Sequence, residues 1–305
     1  VFGIFQFLGD IAGLPTTITG LREHYTKAVF GFPRIQSTAL EPLYFANYLL
    51  LPIGVVISLL VGWKKTHADH PLVRTRVLLP LLILLSVNLI LTVSRGGYLA
   101  LAAMLAVLGV VYLKEVLTPR WVLVTLGSIL FAMWAATRFL GLGGGGANLE
   151  TFRSHVVDVF QGAAYSERIE NYEIALRGFR EHPILGIGPG SFGPYATVHA
   201  SIEPKEGWKI VNNEFLELLA ETGVVGFSLF LFFAGFLIVR SIKASSRARG
   251  SPLERSILIG LTATWIGILV QYQTFSILYI MHVWVVVGLL VAVQNNILSP
   301  HNVQS

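Results

Sequence analysis

Seven long apolar runs constrain the fold of this chain more than any other feature of its sequence. Each run is free of Asp, Glu, Lys and Arg, and each approaches the roughly 20 residues that a helix needs to cross a bilayer core about 30 Å thick. Inside lipid, backbone amides are satisfied by helix formation. We therefore predict an all-α polytopic membrane protein with about seven transmembrane helices. They cover residues 43–62, 77–93, 97–113, 121–137, 223–239, 256–272 and 277–294.

Composition supports the bilayer as solvent and excludes several functional classes. Of the 305 residues, 54% are hydrophobic and 13% are charged, whereas a soluble domain is about 25% charged. The net charge of +5 comes mostly from loops between the apolar runs, so we expect no nucleic-acid partner. The absence of Cys excludes a disulfide scaffold, a thiolate metal site and a cysteine nucleophile.

Basic residues in the short loops give the predicted orientation. Lys and Arg concentrate on the cytoplasmic side of membrane spans, and here they occupy three alternate loops, which must share one side. They are Lys64, Lys65, Arg74 and Arg76, then Lys114 and Arg120, and finally Arg240, Lys243, Arg247, Arg249 and Arg255. The opposite side then carries the first 42 residues and one long loop.

This orientation divides the chain into four predicted regions. Residues 1–42 form an extracytoplasmic stretch, and residues 43–137 carry transmembrane helices 1–4. Residues 138–213 form a large, partly helical, extracytoplasmic catalytic loop, and residues 214–305 hold helices 5–7 and a cytoplasmic tail. Since the chain starts with an apolar Val rather than Met, we expect it to be the carboxy-terminal part of a longer polytopic protein.

The turn at residues 94–98 has the composition of an anion site. Ser94 is a suitable cap for the following helix, and Gly96 and Gly97 allow close backbone approach. A helix N-terminus offers free amides and partial positive charge, and Arg95 adds a permanent cation. The turn therefore predicts a phosphate or diphosphate site, with a lipid-anchoring Arg95 as the alternative.

The long loop contains a predicted helix at residues 166–181, capped by Ser166 and ended by Pro183. Its apolar residues recur at helical spacing, and they are Ile169, Tyr172, Leu176 and Phe179. Arg168 lies one turn before Tyr172, a position that can direct its guanidinium into a protein cavity. A solvated helix charge is the alternative.

A Pro- and Gly-rich segment at residues 181–192 follows. Its glycine spacing lacks the Lys and Ser or Thr of a nucleotide-binding loop, so it predicts a rigid turn. Histidines at positions 155, 182 and 199 have no metal-ligand spacing, and we expect no metal site.

The segment 211–223 re-enters the membrane. Glu214, Glu217 and Glu221 lie three and four residues apart, so they share one helix face. Crowded and partly buried carboxylates have raised pKa values, which suits a general base. A solvated interfacial stripe is the alternative.

Together these stretches resemble the bacterial O-antigen ligase and polymerase family of membrane glycosyltransferases. The resemblance runs from Arg34 onward and rests on the order of four motifs. They are Glu41-Pro42 with Phe45-Ala46-Asn47-Tyr48 inside residues 34–49; Ser94-Arg95-Gly96-Gly97; Glu167-Arg168 leading into His182-Pro183-Ile184-Leu185-Gly186-Ile187-Gly188-Pro189-Gly190; and the re-entry at residues 213–226.

The resemblance implies a fold of many transmembrane helices with a large extracytoplasmic loop over a membrane-facing cavity. It implies that a glycan moves from a polyprenyl (undecaprenyl) diphosphate carrier to an acceptor hydroxyl, without metal or cofactor, at the outer side of a bacterial inner membrane. The expected partners are this donor, a glycan or lipid-glycan acceptor and membrane lipids. The motif residues expected to bind donor diphosphate or glycan are Glu41, Ser94, Arg95, Gly96, Arg168, Tyr172 and Asn213. The resemblance also implies a catalytic role for Arg95 and Arg168, whose guanidiniums would stabilise the leaving diphosphate.

One position departs from the family pattern. Ligases usually have His-Asn before the re-entry helix, and that His is the proposed activator of the acceptor hydroxyl, whereas this chain has Asn212-Asn213. Asn cannot take up a proton at neutral pH, so Asn212 is expected to orient the acceptor. Glu217, another nearby carboxylate or His199 is the expected substitute base, unless departure of the diphosphate needs no strong base.

A different functional class remains open at this point, namely a transporter or flippase of lipid-linked glycans. Transporters usually show paired repeats, broken helices or ionisable groups near the midplane. Here the charged groups concentrate in loops and at the outer surface, which favours the enzyme.

Overall fold

A computed structural model describes residues 1–26, 32–62, 74–116, 163–201, 207–276 and 278–299. Within these ranges the chain forms helices and turns and no β-strand, so the all-α prediction is confirmed there. The longer helices are α1 (Phe2–Ile11), α2 (Pro42–Gly62), α3 (Thr75–Leu91), α4 (Arg95–Val111), α5 (Ala163–Glu181), α6 (Phe192–His199), α7 (Glu214–Arg247), α8 (Pro252–Gln271) and α9 (Met281–Leu298).

Four helices are long and apolar enough to cross a membrane, namely α2, α7, α8 and α9. They coincide with four of the predicted spans. The predicted spans 77–93 and 97–113 correspond to α3 and α4, which are apolar but have 17 residues each. The predicted span 121–137 lies outside the described residues. The count of seven spans and the side on which each loop lies stay predictions.

Contacts divide the chain into two compact units. The first consists of Val1–Leu113, Phe233–Gln271 and Ile277–Ser305, and the second consists of Lys114–Phe232 and Tyr272–Ser276. Helix α7 therefore supplies its first part to the second unit and the remainder to the first. The four predicted regions, with boundaries at residues 42, 137 and 213, stay predictions.

Helix α8 forms the centre of the first unit, where it packs against α2, α4 and α9. Glycines permit the close packing: a Cβ added to Gly260 would lie 2.8 Å from the Gly54 carbonyl oxygen, and one on Gly267 would lie 2.9 Å from that of Ala100. Between helices in lipid, van der Waals contact at small residues takes the place of a hydrophobic driving force. Gly260 and Gly267 therefore allow α8 to lie in close contact with α2 and α4.

Helices α5 and α6 and the start of α7 enclose the core of the second unit. Its buried apolar residues are Ile174, Ala175, Phe192, Ala196, Val211 and Ala220. Helix α5 begins at Ala163, so the predicted cap at Ser166 is wrong, while its end at Glu181 agrees with the prediction. The most buried positions of α5 are Asn171, Ile174, Ala175 and Gly178. These positions, and not the predicted apolar stripe, form the buried face of α5. Ala175 and Gly178 have small side chains that permit close packing, and Asn171 Nδ2 donates a hydrogen bond to the Ile210 carbonyl.

The Pro- and Gly-rich turn packs against a kink in α7. At the kink, Gly223 has a φ of 62° and a ψ of −167°, which interrupts the helix. The Ile187 and Gly188 amides donate to the carbonyls of Ala220 and Glu221 at 3.0 and 2.9 Å. In return the Val224 amide donates to the Pro183 carbonyl at 2.9 Å. The turn thus satisfies backbone groups that the kink leaves without helical partners.

Candidate functional site

The amino-terminal end of α4 has the geometry that the sequence predicts. Ser94 is 2% exposed, and its Oγ accepts a hydrogen bond from the Gly97 amide at 3.2 Å, so Ser94 caps the helix. Gly96 and Gly97 are buried, and a Cβ on Gly97 would lie 2.6 Å from that of Ala46 in α2. The exposed Arg95 is the first helical residue. Backbone amides, the helix dipole and a guanidinium therefore converge at one helix end.

Arg34 joins Arg95 at this end of α4. Its Nε–H donates to the Thr92 carbonyl at 3.3 Å, two residues before the cap, and its guanidinium lies 5.7 Å from the centre of the Tyr25 ring. Burial lowers the pKa of Arg34, and the positive charge of Arg95 lowers it further, which places the two cations within electrostatic reach. A guanidinium keeps its charge under such conditions. Two like charges held together at a helix N-terminus form a strong attractor for a multiply charged anion.

Sequence reasoning did not select Arg34 as a site residue. The sequence separates it from Arg95 by more than the length of a membrane span, so no local spacing connects the two. The available signal was the position of Arg34 at the start of the first motif of the family resemblance.

Glu41 lies beside this pair, directly before α2. It is half-buried, and its carboxylate raises the pKa of Arg34. The Glu41 carbonyl accepts from the Phe45 amide at 3.1 Å, which begins α2. Glu41 thus partly compensates the cation pair, and its predicted role in binding glycan stays a prediction.

A hydrogen-bonded polar group continues from this end of α2 into the first unit. Tyr44 and Tyr279 hydroxyls are 3.3 Å apart, and Asn47 Nδ2 donates to Gln271 Oε1 at 2.6 Å. His282 Nε2 lies 2.6 Å from Asn47 Oδ1. His282 was not predicted as a site residue, because the apolar runs were identified by their lack of Asp, Glu, Lys and Arg, and histidine was not considered. A histidine inside a predicted span was the signal.

The remaining predicted site residues belong to the second unit. Arg168 is exposed on α5, and Tyr172, one turn later, packs beside the apolar core of this unit. Whether Arg168 binds a diphosphate stays a prediction. Its exposed side chain is compatible with a ligand contact and with a solvated charge.

Asn212 and Asn213 shape the start of α7. Asn212 has a φ of 59°, a left-handed conformation that Asn adopts more readily than most residues. Asn213 Oδ1 accepts from the Leu216 amide at 3.2 Å and so caps α7. The predicted binding residue Asn213 therefore has a structural role, while the half-buried Asn212 amide remains suited to orienting a ligand.

The carboxylates of the re-entry segment hold backbone amides. Glu217 Oε2 accepts from the Val211 amide at 3.0 Å. The two oxygens of Glu221 accept from the Gly190 and Phe192 amides at 2.8 and 2.9 Å. These contacts orient the loop against α7. The predicted role of Glu217 as a substitute base stays a prediction that competes with this structural role.

His199 ends α6 in a surface cluster. Its ring centre lies 4.4 Å from that of Tyr195, whose hydroxyl donates to Glu181 at 2.6 Å. The Tyr195 hydroxyl and then the Arg177 guanidinium hold the pKa of Glu181 below its usual value. His199 is thus placed beside an acidic, hydrogen-bonded cluster, and its predicted catalytic role stays a prediction.

The structure brings Glu41, Ser94, Arg95 and Gly96 together in the first unit with Arg34, and the Asn47–His282 pair belongs to the same unit. In the second unit Asn212, Asn213 and Glu217 share the start of α7, whereas Arg168, Tyr172 and His199 lie on α5 and α6. Among the described residues, no group of three or more His, Asp or Glu side chains has the geometry of a metal site.

A protein family matches part of the chain. Residues 80–231, about half of the chain, match the protein family described as O-antigen ligase. The matched region begins inside α3 and ends inside α7, so it includes the amino-terminal end of α4 and the described helices of the second unit. A search of curated proteins finds no significant match to the chain.

Proposed function

The chain belongs to the O-antigen ligase family, and from this premise we propose that it transfers a glycan from a polyprenyl (undecaprenyl) diphosphate carrier to an acceptor hydroxyl. The transfer takes place at the outer side of a bacterial inner membrane, as polymerisation or ligation of a surface polysaccharide. It requires neither a metal ion nor a cofactor.

The observation that carries this proposal is the arginine pair at the capped end of α4. Arg34 and Arg95 lie within electrostatic reach of each other at the amino-terminal end of α4, where the helix dipole is positive. Negative charge on the diphosphate grows as the bond to the sugar breaks. Preorganised guanidiniums bind that charge more strongly in the transition state than in the ground state, which is the condition for acceleration.

The apolar helices around this site suit the carrier. Helices α2, α8 and α9 are long and apolar enough to cross a membrane, so a lipid tail in the bilayer can bring its diphosphate to the end of α4. Arg168 belongs to the second unit, and its part in diphosphate binding is supported by the family resemblance alone.

The test uses purified protein in liposomes with a fluorescent undecaprenyl-diphosphate oligosaccharide, supplied alone for polymerisation or with a lipid-linked acceptor glycan. We expect formation of a larger glycan and release of the diphosphate carrier. Arg95→Ala and Arg168→Ala should each reduce transfer at least 100-fold, while Arg76→Ala, which removes an exposed arginine at the start of α3, should not.

The alternative function, transport or flipping of the carrier, gives a different result in the same liposomes. Accessibility of the fluorophore to an external quencher would change with time, and no new glycosidic bond would form. Translocation without transfer would therefore replace the enzyme proposal with the transporter.

A further inference from the structure

His282 lies in the first turn of α9, inside a predicted membrane span. Its side chain is half-buried, and its Nε2 lies 2.6 Å from Asn47 Oδ1 on α2. The Tyr48 ring is positioned edge-on to the imidazole at 6.0 Å between ring centres. An ionisable side chain within a membrane span is a candidate functional group, and no part of the proposed diphosphate site uses it.

The hydrogen bonds of the amides beside His282 indicate which of its nitrogens can act as a base. Asn47 Nδ2 donates to Gln271 Oε1 at 2.6 Å, so the oxygen of Asn47 faces the imidazole. With both amides in this orientation, Nε2 must carry the proton, and Nδ1 presents a lone pair. Among the described residues, none forms a hydrogen bond to Nδ1 of His282. In this orientation Nδ1 is the ring nitrogen that can accept a proton.

A polar strip connects this imidazole to the arginine pair within the first unit. Glu41, Tyr44 and Asn47 follow one another at three-residue spacing, so they lie near one face at the amino-terminal end of α2. Glu41 acts electrostatically on Arg34, and the Tyr44 hydroxyl is 3.3 Å from that of Tyr279, three residues before His282. Both ends of this strip belong to the same compact unit.

We propose that His282 is the general base of the glycan transfer, with Asn47 as its positioning residue; this inference rests on the proposed function. His282 Nδ1 takes the proton from the acceptor hydroxyl as the acceptor oxygen forms its bond to the anomeric carbon. The bond between that carbon and the diphosphate oxygen breaks, and its electron pair leaves with the diphosphate. The imidazolium later returns its proton to water.

The other described candidates are less suited to this step. Asn212 cannot take up a proton. The carboxylates of Glu217 and Glu221 accept hydrogen bonds from backbone amides, and protonation of either would weaken those bonds. His282 is held by a hydrogen bond to a buried amide, since Asn47 is 1% exposed.

The test compares His282→Gln with His182→Gln in the liposome transfer assay described above. A Gln amide nitrogen can keep the hydrogen bond to Asn47 but supplies no base. We expect kcat to fall at least 100-fold in His282→Gln, in line with the usual contribution of general-base catalysis. The KM for the donor should stay within about threefold, since the arginine pair is intact, and added imidazole should restore part of the rate. His182 is exposed in the turn after α5, and its substitution should leave transfer unchanged.

The outcomes separate this inference from the function on which it rests. If the wild-type protein transfers no glycan, the proposed function fails. If the wild type is active and His282→Gln keeps its kcat, the proposed function stands and His282 is not the base. Should His282→Gln not fold, Asn47→Leu decides, because it releases the imidazole without removing it. A loss of tenfold or more in kcat supports the proposal, and an unchanged kcat overturns it.

Discussion

Gly223 and Gly186 approach each other so closely that neither position has room for a side chain. A Cβ added to Gly223 would lie 2.7 Å from the Gly186 amide nitrogen and would contact the Ile184 carbonyl, while one on Gly186 would meet the backbone of Glu221. Gly223 also has a backbone conformation that is essentially restricted to glycine. The kink of α7 and the turn after α5 therefore depend on two glycines more than 30 residues apart.

Substituting either glycine should disrupt this contact. We expect Gly223→Ala and Gly186→Ala each to lower the free energy of unfolding by at least about 3 kcal/mol, the combined cost of a backbone conformation that L residues rarely adopt and of a clash with backbone atoms. Thermal unfolding of the purified protein measures the loss. Gly235→Ala is the matched control in the same helix, since nothing lies within 4 Å of its added Cβ. That variant should be neutral or stabilised by up to about 1 kcal/mol, and equal losses in all three would contradict the proposed contact.

The Glu221 carboxylate should hold the turn in place through two amides. Replacing Glu221 with Ala removes the acceptors for Gly190 and Phe192, and a charge-assisted pair of this kind contributes about 1–3 kcal/mol. Hydrogen exchange is the direct measurement, because the amides of these two residues should exchange about tenfold faster or more. The exposed Glu173 on α5 provides the control, and unchanged exchange in Glu221→Ala would show that the bonds do not form in solution.

These contacts also show how far the sequence could predict the site. Ser94 and Arg95 were predictable because capping and helix-end charge are local signals within four residues. Arg34 reaches the same helix end because the segment that carries it packs against the end of α3. The local sequence around Ser94 and Arg95 does not indicate this contact. Similarly, the carboxylates at positions 217 and 221 were predicted on one helix face, but the hydrogen bonds of Glu221 to the Gly190 and Phe192 amides join segments about 30 residues apart. Such contacts link residues far apart in the chain, so periodicity alone cannot reveal them.

The ion pair of Glu170 and Lys209 should make the second unit sensitive to acid. Lys209 Nζ lies 2.8 Å from Glu170 Oε2, and the Lys209 side chain is 1% exposed. The hydrogen bond from Lys209 lowers the pKa of Glu170, so folding stabilises the charged carboxylate. This contribution is complete above the unfolded-state pKa of about 4.3 and is lost as the pH falls through the lower folded-state value. Unfolding midpoints measured between pH 7 and pH 3 should fall more steeply for wild type than for Glu170→Gln.

Substitution of Glu170 and substitution of Lys209 should lower the stability of the protein by different amounts. Glu170→Ala leaves a buried ammonium without its partner, at a cost of about 3 kcal/mol or more. Lys209→Met removes that charge and keeps an apolar stem of similar length, while Glu170 still accepts from the Ser201 amide at 2.6 Å. We therefore expect Lys209→Met to be the less destabilised of the two. Equal unfolding temperatures for the two variants would indicate that Lys209 is solvated when unpaired.

The arginine pair makes a specific prediction for donor binding. Arg34→Lys keeps the positive charge but loses the planar fork that binds two phosphate oxygens at once, and a shorter ammonium cannot both donate to the Thr92 carbonyl and reach the same anion. We expect the KM for the undecaprenyl-diphosphate donor to rise about tenfold, with a smaller change in kcat, and inorganic diphosphate to compete less well in this variant than in wild type. Arg76→Lys serves as the control for a conservative change at an exposed arginine. If Arg34→Lys binds diphosphate as wild type does, the planar fork is not needed and the positive charge alone explains binding. In that case only Arg34→Ala should raise the KM for the donor.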